Sequence, residues 1–76
     1  MQIGLDRLGP GKTGIVTEVN MPPDTVQRLR CFGLIPGVTV RCSYRSPGGK
    51  VTALDVFDTV IAMRTGDLSM IRVSCL

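Results

Sequence analysis

The residues with the strongest claim to chemistry are three cysteines and six carboxylates, and no histidine stands beside them. Cys31, Cys42 and Cys75 are irregularly spaced, and an odd count without a close pair gives neither a disulfide framework nor a zinc motif. Ferrous sites commonly combine two imidazoles with a carboxylate, and zinc sites use Cys and His in close pairs. Neither set can be assembled here. Asp55 and Asp58 read as solvated turn formers, and Cys42 meeting Cys75 across strands would supply only two thiolates. Transition-metal binding would then take the form of a surface ion shared between two molecules through Cys75 or carboxylates. Ser43 and Cys31 lack the imidazole base a nucleophile usually needs, and the carboxylates sit at caps and turns with no evident pair. The chain is read as non-enzymatic, with no cofactor and with thiols serving mostly as small buried groups in a reducing compartment.

Two short motifs suggest other chemistry. Gly11-Lys12-Thr13 ends a phosphate-loop pattern, but the glycine required five residues before Gly11 is Asp6, and a strand follows instead of a helix. Gly11, Gly14 and Val16 also fit the basic Gly-x-x-Gly-x-Val motif of ribosome-associated barrels. The plainer reading is that the glycines shape the entry to a strand. Single-stranded nucleic acid is usually held by aromatic stacking. Of the aromatic residues Phe32, Tyr44 and Phe57, the first two are expected to face the core. The nine cations are scattered, not clustered on one element, so no nucleic-acid partner is expected. An RNA- or ribosome-associated barrel is one alternative class, and a metal-bridged oligomeric regulator is the other.

The elements that must position these residues are short. Thr13 to Val19 is β-branched and bounded by Gly11 and Asn20, which predicts the first strand. Asp24 and Gln27 suggest a capped helix of about two turns ending at Gly33. Val38, Val40, Cys42 and Tyr44 alternate with polar residues, the pattern of a half-buried strand. Ser46 to Gly49 turns the chain into a strand from Lys50 to Val56, with Thr52, Leu54 and Val56 on one side. Val60 to Arg64 and Ile71 to Cys75 complete five strands, and Asp67 is expected to cap a helical turn over Leu68-Ser69-Met70. The prediction is a single all-β domain over residues 1–76, a small closed SH3-like barrel with one short helix after the first strand. With no Trp and one Tyr, the aromatic groove that binds proline-rich peptides cannot be built in its usual form.

Hydrophobic residues make up 43% of the 76-residue chain and charged residues 20%, a globular balance with a net charge of +3. The longest apolar run, Val60 to Met63, is far short of the ~20 residues of a spanning helix, so a membrane role would run through a partner. No basic segment followed by an apolar run marks a secretory signal, and a cytoplasmic location is expected.

The most distinctive text is Arg28-Leu29-Arg30-Cys31-Phe32-Gly33-Leu34-Ile35-Pro36-Gly37. It resembles the signature of the ferrous-iron transport protein A family, in which a helix ends in Arg-Leu before an apolar-Gly-apolar-x-Pro-Gly turn. Leu5, Leu8, Gly11 and Gly14 match that family's opening. Ser46-Pro47-Gly48 resembles its Ala-Pro-x-Gly loop, and Val60 to Arg64 its Ile-Ala-Leu-Arg strand. The likeness runs from Leu5 to Val73, departing at Gly49 to Thr52 where the family often has a second proline.

The resemblance implies an SH3-like barrel, a cytoplasmic location and a partner, the membrane ferrous-iron transporter with its cytosolic GTP-binding domain. It implies neither catalysis nor iron storage. Docking should use an exposed apolar patch with a polar rim. The expected partner-binding residues are Arg28, Arg30, Leu34, Ile35 and Pro36 around the turn after the helix, with Arg45 and Pro47 in the next loop. Leu34 and Ile35 could equally plug the barrel end. On the docking reading, Leu34→Asp would leave the fold intact.

Overall fold

Val16, Val40, Cys42, Thr52, Leu54, Val56, Ile61, Ile71 and Val73 recur at alternate strand positions, and all are buried. In a pleated strand this spacing sends every such side chain to one face, so each strand contributes to a common core. A computed structural model describes all 76 residues. The strands are β1 (Gln2–Gly4), β2 (Thr13–Val19), β3 (Thr39–Arg45), β4 (Val51–Val56), β5 (Thr59–Arg64) and β6 (Ile71–Cys75). One helix, α1 (Pro23–Cys31), and two 3-10 turns, Leu5–Arg7 and Thr65–Met70, complete the chain.

All strand pairs are antiparallel, in the order β1-β6-β2-β3-β4-β5. Register shifts in β2 between Val16 and Glu18 and in β3 between Cys42 and Tyr44 mark bulges, which bend a strand and sharpen its twist. The bent sheet wraps one cluster of 13 buried apolar residues, with Leu5 and Leu68 supplied by the two 3-10 turns and Leu29 by α1.

The all-β barrel with one helix is as expected, in six strands instead of about five. β1 escapes the sequence pattern because three residues are too few to show alternation; it is placed by pairing Ile3 with Val73. The closure also differs. β1 and β5 are the two ends of the sheet and do not pair, and the two 3-10 turns pack together across the gap.

α1 begins differently from its expected capping box. Pro22 is the N-cap, Pro23 opens the helix, and no side chain caps it, so Asp24 stands within the first turn. Proline suits that position because its missing N–H would have no helical partner there. The helix ends as its sequence suggests, at Gly33 with φ 89, and the Leu34 amide returns to the Leu29 carbonyl at 3.0 Å. Asp67 likewise does not cap its turn; its carboxylate accepts from Arg64 Nε at 3.0 Å.

Tyr44 and Phe32 are exposed, not core. The bulge in β3 falls immediately before Tyr44 and breaks the alternation that would have turned it inward.

Candidate docking site

α1 places its residues on two sides. Leu29 points into the core, Arg28 lies toward β5, and Arg30 lies on the opposite flank with Val26 and Cys31. Leu34 is 1% exposed, so of the two readings of the post-helix turn it follows the plug, and its side chain offers nothing to a partner. An aspartate there would place a charge in the core, so Leu34→Asp disrupts the fold instead of sparing it. Ile35 and Pro36 are exposed in the turn, and Pro47 is exposed in the β3–β4 turn.

Arg45 proves to be an internal clasp. Its Nε donates to Thr52 Oγ1 at 3.0 Å and its Nη2 to the Leu8 carbonyl at 3.0 Å. Thr52 Oγ1 in turn shares a hydrogen bond with Thr65 Oγ1 at 2.7 Å. The guanidinium thus ties β3 to β4 and to the segment after the first 3-10 turn, and two of its five N–H donors are used within the fold.

Between α1 and β5 lies a groove of about 450 Å³. Leu29, Ile61, Met63 and Met70 give it apolar surface, and Phe32, Arg28 and Arg64 stand along it. Phe32 is 46% exposed here. Beside it the two-residue β4–β5 turn carries Phe57, 76% exposed, and Val60 follows at 65%. Phe57 has φ 56, a left-handed conformation uncommon for a bulky residue. Its ring lies over Gly33; a Cβ at that glycine would meet Phe57 Cδ2 at 3.0 Å. The chain therefore holds an aromatic ring on its surface in a strained turn and leaves room beneath it for a helix end.

These residues, Phe32, Phe57 and Val60, were not among the expected site residues. The signal was the strand pattern itself. With Thr52, Leu54 and Val56 inward, the residue after Val56 starts the turn, and a phenylalanine there has no inward place to go.

Cys42 is buried, whereas Cys31 and Cys75 are exposed, contrary to the expectation of mostly buried thiols. Nowhere do three or more Cys, Asp or Glu side chains gather in a group able to hold a metal ion. Asp55 and Asp67 are each engaged by an arginine, Arg41 at 3.5 Å and Arg64 at 3.0 Å. Phe32 and Tyr44, expected inside, are exposed together with Phe57, so stacking surface is available. Three of the seven arginines, however, are committed to contacts within the fold.

No helix is long and apolar enough to cross a membrane. Among curated proteins none matches the chain. Solved structures similar over nearly its whole length include three FeoA proteins. An iron uptake regulatory protein, FeoA, is 29% identical with TM-score 0.86 and complete coverage of both chains. FeoA from Chlorobium tepidum is 26% identical with TM-score 0.92, covering 97% of this chain and 70% of its own. FeoA from Stenotrophomonas maltophilia, solved with zinc and described as a prokaryotic SH3 domain protein, is 27% identical with TM-score 0.78, at 97% and 89% coverage. The barrel is thus of SH3-like form. The FeoA domain model matches residues 3–75, and the chain belongs to the FeoA domain family.

Proposed function

We propose that this protein is a cytoplasmic accessory component of ferrous-iron uptake that acts by docking on the cytosolic part of a membrane ferrous-iron transporter carrying a GTP-binding domain. Its family supports the iron-uptake role, as does the description of the Stenotrophomonas relative in terms of activating ferrous iron transport. The observation that carries the docking mode is the exposed aromatic pair Phe32 and Phe57 at the end of the α1–β5 groove, with the Phe57 ring over Gly33 and its backbone held at φ 56. Aromatic residues dominate the energetics of protein interfaces, and backbone strain concentrates where it serves binding. Arg28 supplies a polar rim, and Ile35 and Pro36 follow Gly33 in the same turn. Arg30 and Pro47 are peripheral candidates. Neither catalysis nor a resident metal enters this reading.

The test is capture of the purified chain by the transporter's cytosolic domain. Phe57→Asp is expected to weaken capture at least about tenfold, the loss typical of a central aromatic anchor. Its amide spectrum should show an intact fold, since the side chain is exposed. Undiminished capture by that folded variant would remove Phe57 and its neighbours from the interface.

A further inference from the structure

β5 is the one long sheet edge that the fold leaves open. It stands last in the sheet, with β4 on one side only. Its register pairs Thr59 with Val56, Ile61 with Leu54 and Met63 with Thr52, and the Thr65 amide donates to the Lys50 carbonyl at 2.8 Å. Hydrogen-bonded positions alternate along an antiparallel pair. Thr59, Ile61 and Met63 therefore direct their main chain to β4, whereas Val60, Ala62 and Arg64 direct theirs outward. No backbone hydrogen bond from outside the sheet reaches those three residues. Edge strands are usually protected by a proline, a bulge or a central charge. β5 has no proline, its register is unbroken, and its single charge is its last residue.

The opposite wall of the groove is one side of α1, where Thr25 and Arg28, with Phe32 just past the helix end, face Ile61 to Arg64. A strand edge on one wall, a helix on the other and apolar side chains between them suit an extended peptide. Its main chain would bond to β5, and alternate side chains would drop into the groove. The charge is complementary to an acidic segment. Of the charged residues lining the groove, Asp67 is paired with Arg64 and Arg28 has no ion pair, which leaves one uncompensated cation there in a chain of net charge +3. A second copy would bring the same positive charge to the groove.

Resting on the docking reading above, we infer that the partner's docking element is an extended, acidic segment that adds as a strand to β5 against α1. The probe is a blocked peptide of alternating leucine and glutamate, titrated into the full chain with amide hydrogen exchange read by NMR. Exchange at Val60, Ala62 and Arg64 should slow while Thr59, Ile61 and Met63 stay as they were. Arg28→Glu should weaken binding about tenfold, as loss of a complementary charge pair does. The same peptide N-methylated on alternate residues should not bind. Unchanged exchange at saturating peptide, or equal binding of the N-methylated form, overturns strand addition. Protection of the same amides that grows with protein concentration alone would assign the edge to a second copy and overturn the acidic partner.

Ala62→Pro links the groove to the transporter. The Ala62 amide faces outward, so proline removes no bond to β4, and edge positions accept it. This variant should lose capture of the transporter's cytosolic domain. Capture kept by Ala62→Pro but lost by Phe57→Asp leaves docking standing and rejects strand addition. Peptide protection without any capture by the unaltered chain rejects the transporter as partner and keeps the groove's mode. If Ala62→Pro does not fold, the N-methylated peptide decides.

Discussion

Phe57 concentrates the conflict between stability and surface function in one residue. Its φ of 56 costs an L residue with a bulky side chain about 1–3 kcal/mol. Its ring is three-quarters exposed, so contact with Gly33 offsets only part of that cost. Asparagine tolerates the left-handed region better. Phe57→Asn is therefore expected to raise unfolding stability by roughly 0.5–1 kcal/mol in urea while weakening transporter capture. A variant that is both less stable and fully competent in capture would show the ring to be structural. Arg45 presents the reverse case. Replacing it with leucine strands the Leu8 carbonyl and removes a partner of the buried Thr52 hydroxyl, at a cost of about 1–3 kcal/mol. Capture by the folded fraction should be unaffected. Leu34 belongs with the core, and Leu34→Ala should cost about 2–5 kcal/mol, as for other fully buried leucines.

The helix end and the β4–β5 turn, far apart in sequence, are coupled through Gly33 and Phe57. Gly33→Ala meets two obstacles: φ 89, and the Phe57 ring 3.0 Å from the new Cβ. The substitution should cost more than the ~1 kcal/mol of a left-handed alanine. Removing the ring in Gly33→Ala/Phe57→Ala should recover part of the excess, giving a coupling of about 0.5–3 kcal/mol in a double-mutant cycle. Strict additivity would place the two elements out of contact. This coupling also marks what could be read from the sequence. Strands β2 to β6 and the glycine ending α1 were legible because period-two alternation and a C-terminal glycine are local signals. Tyr44 and Phe32 were misplaced because a bulge and the position of α1 beside β5 are set by tertiary pairing. Of the proposed docking residues, Arg28, Ile35 and Pro36 were named from the family-like run. Phe57 lies in a turn outside every family-like run, and the open edge of β5 cannot be read until strand order is known.

At the scale of the whole molecule, the question is what allows 76 residues to hold a fold at all. Chains of this size often rely on disulfides, metals or association, because they bury a smaller share of their surface. Here the three cysteines are free and no three metal-ligating acids or thiols come together. The support lies in a single cluster to which both 3-10 turns, α1 and every strand from β2 to β6 contribute buried side chains. Every buried side-chain polar atom has a hydrogen-bond partner, so the core carries no unmet desolvation cost. A structural zinc would contribute directly to folding free energy and its removal would unfold the chain. Thermal unfolding with excess chelator should therefore coincide with unfolding in its absence. The comparison is sensitive, since each kcal/mol shifts Tm by about 4–8 °C in a domain of this length. Sedimentation under the same two conditions should give one species. A drop of several degrees on chelation, or a dimer that the chelator dissolves, would mean that a shared surface ion, and not the core alone, sustains the fold.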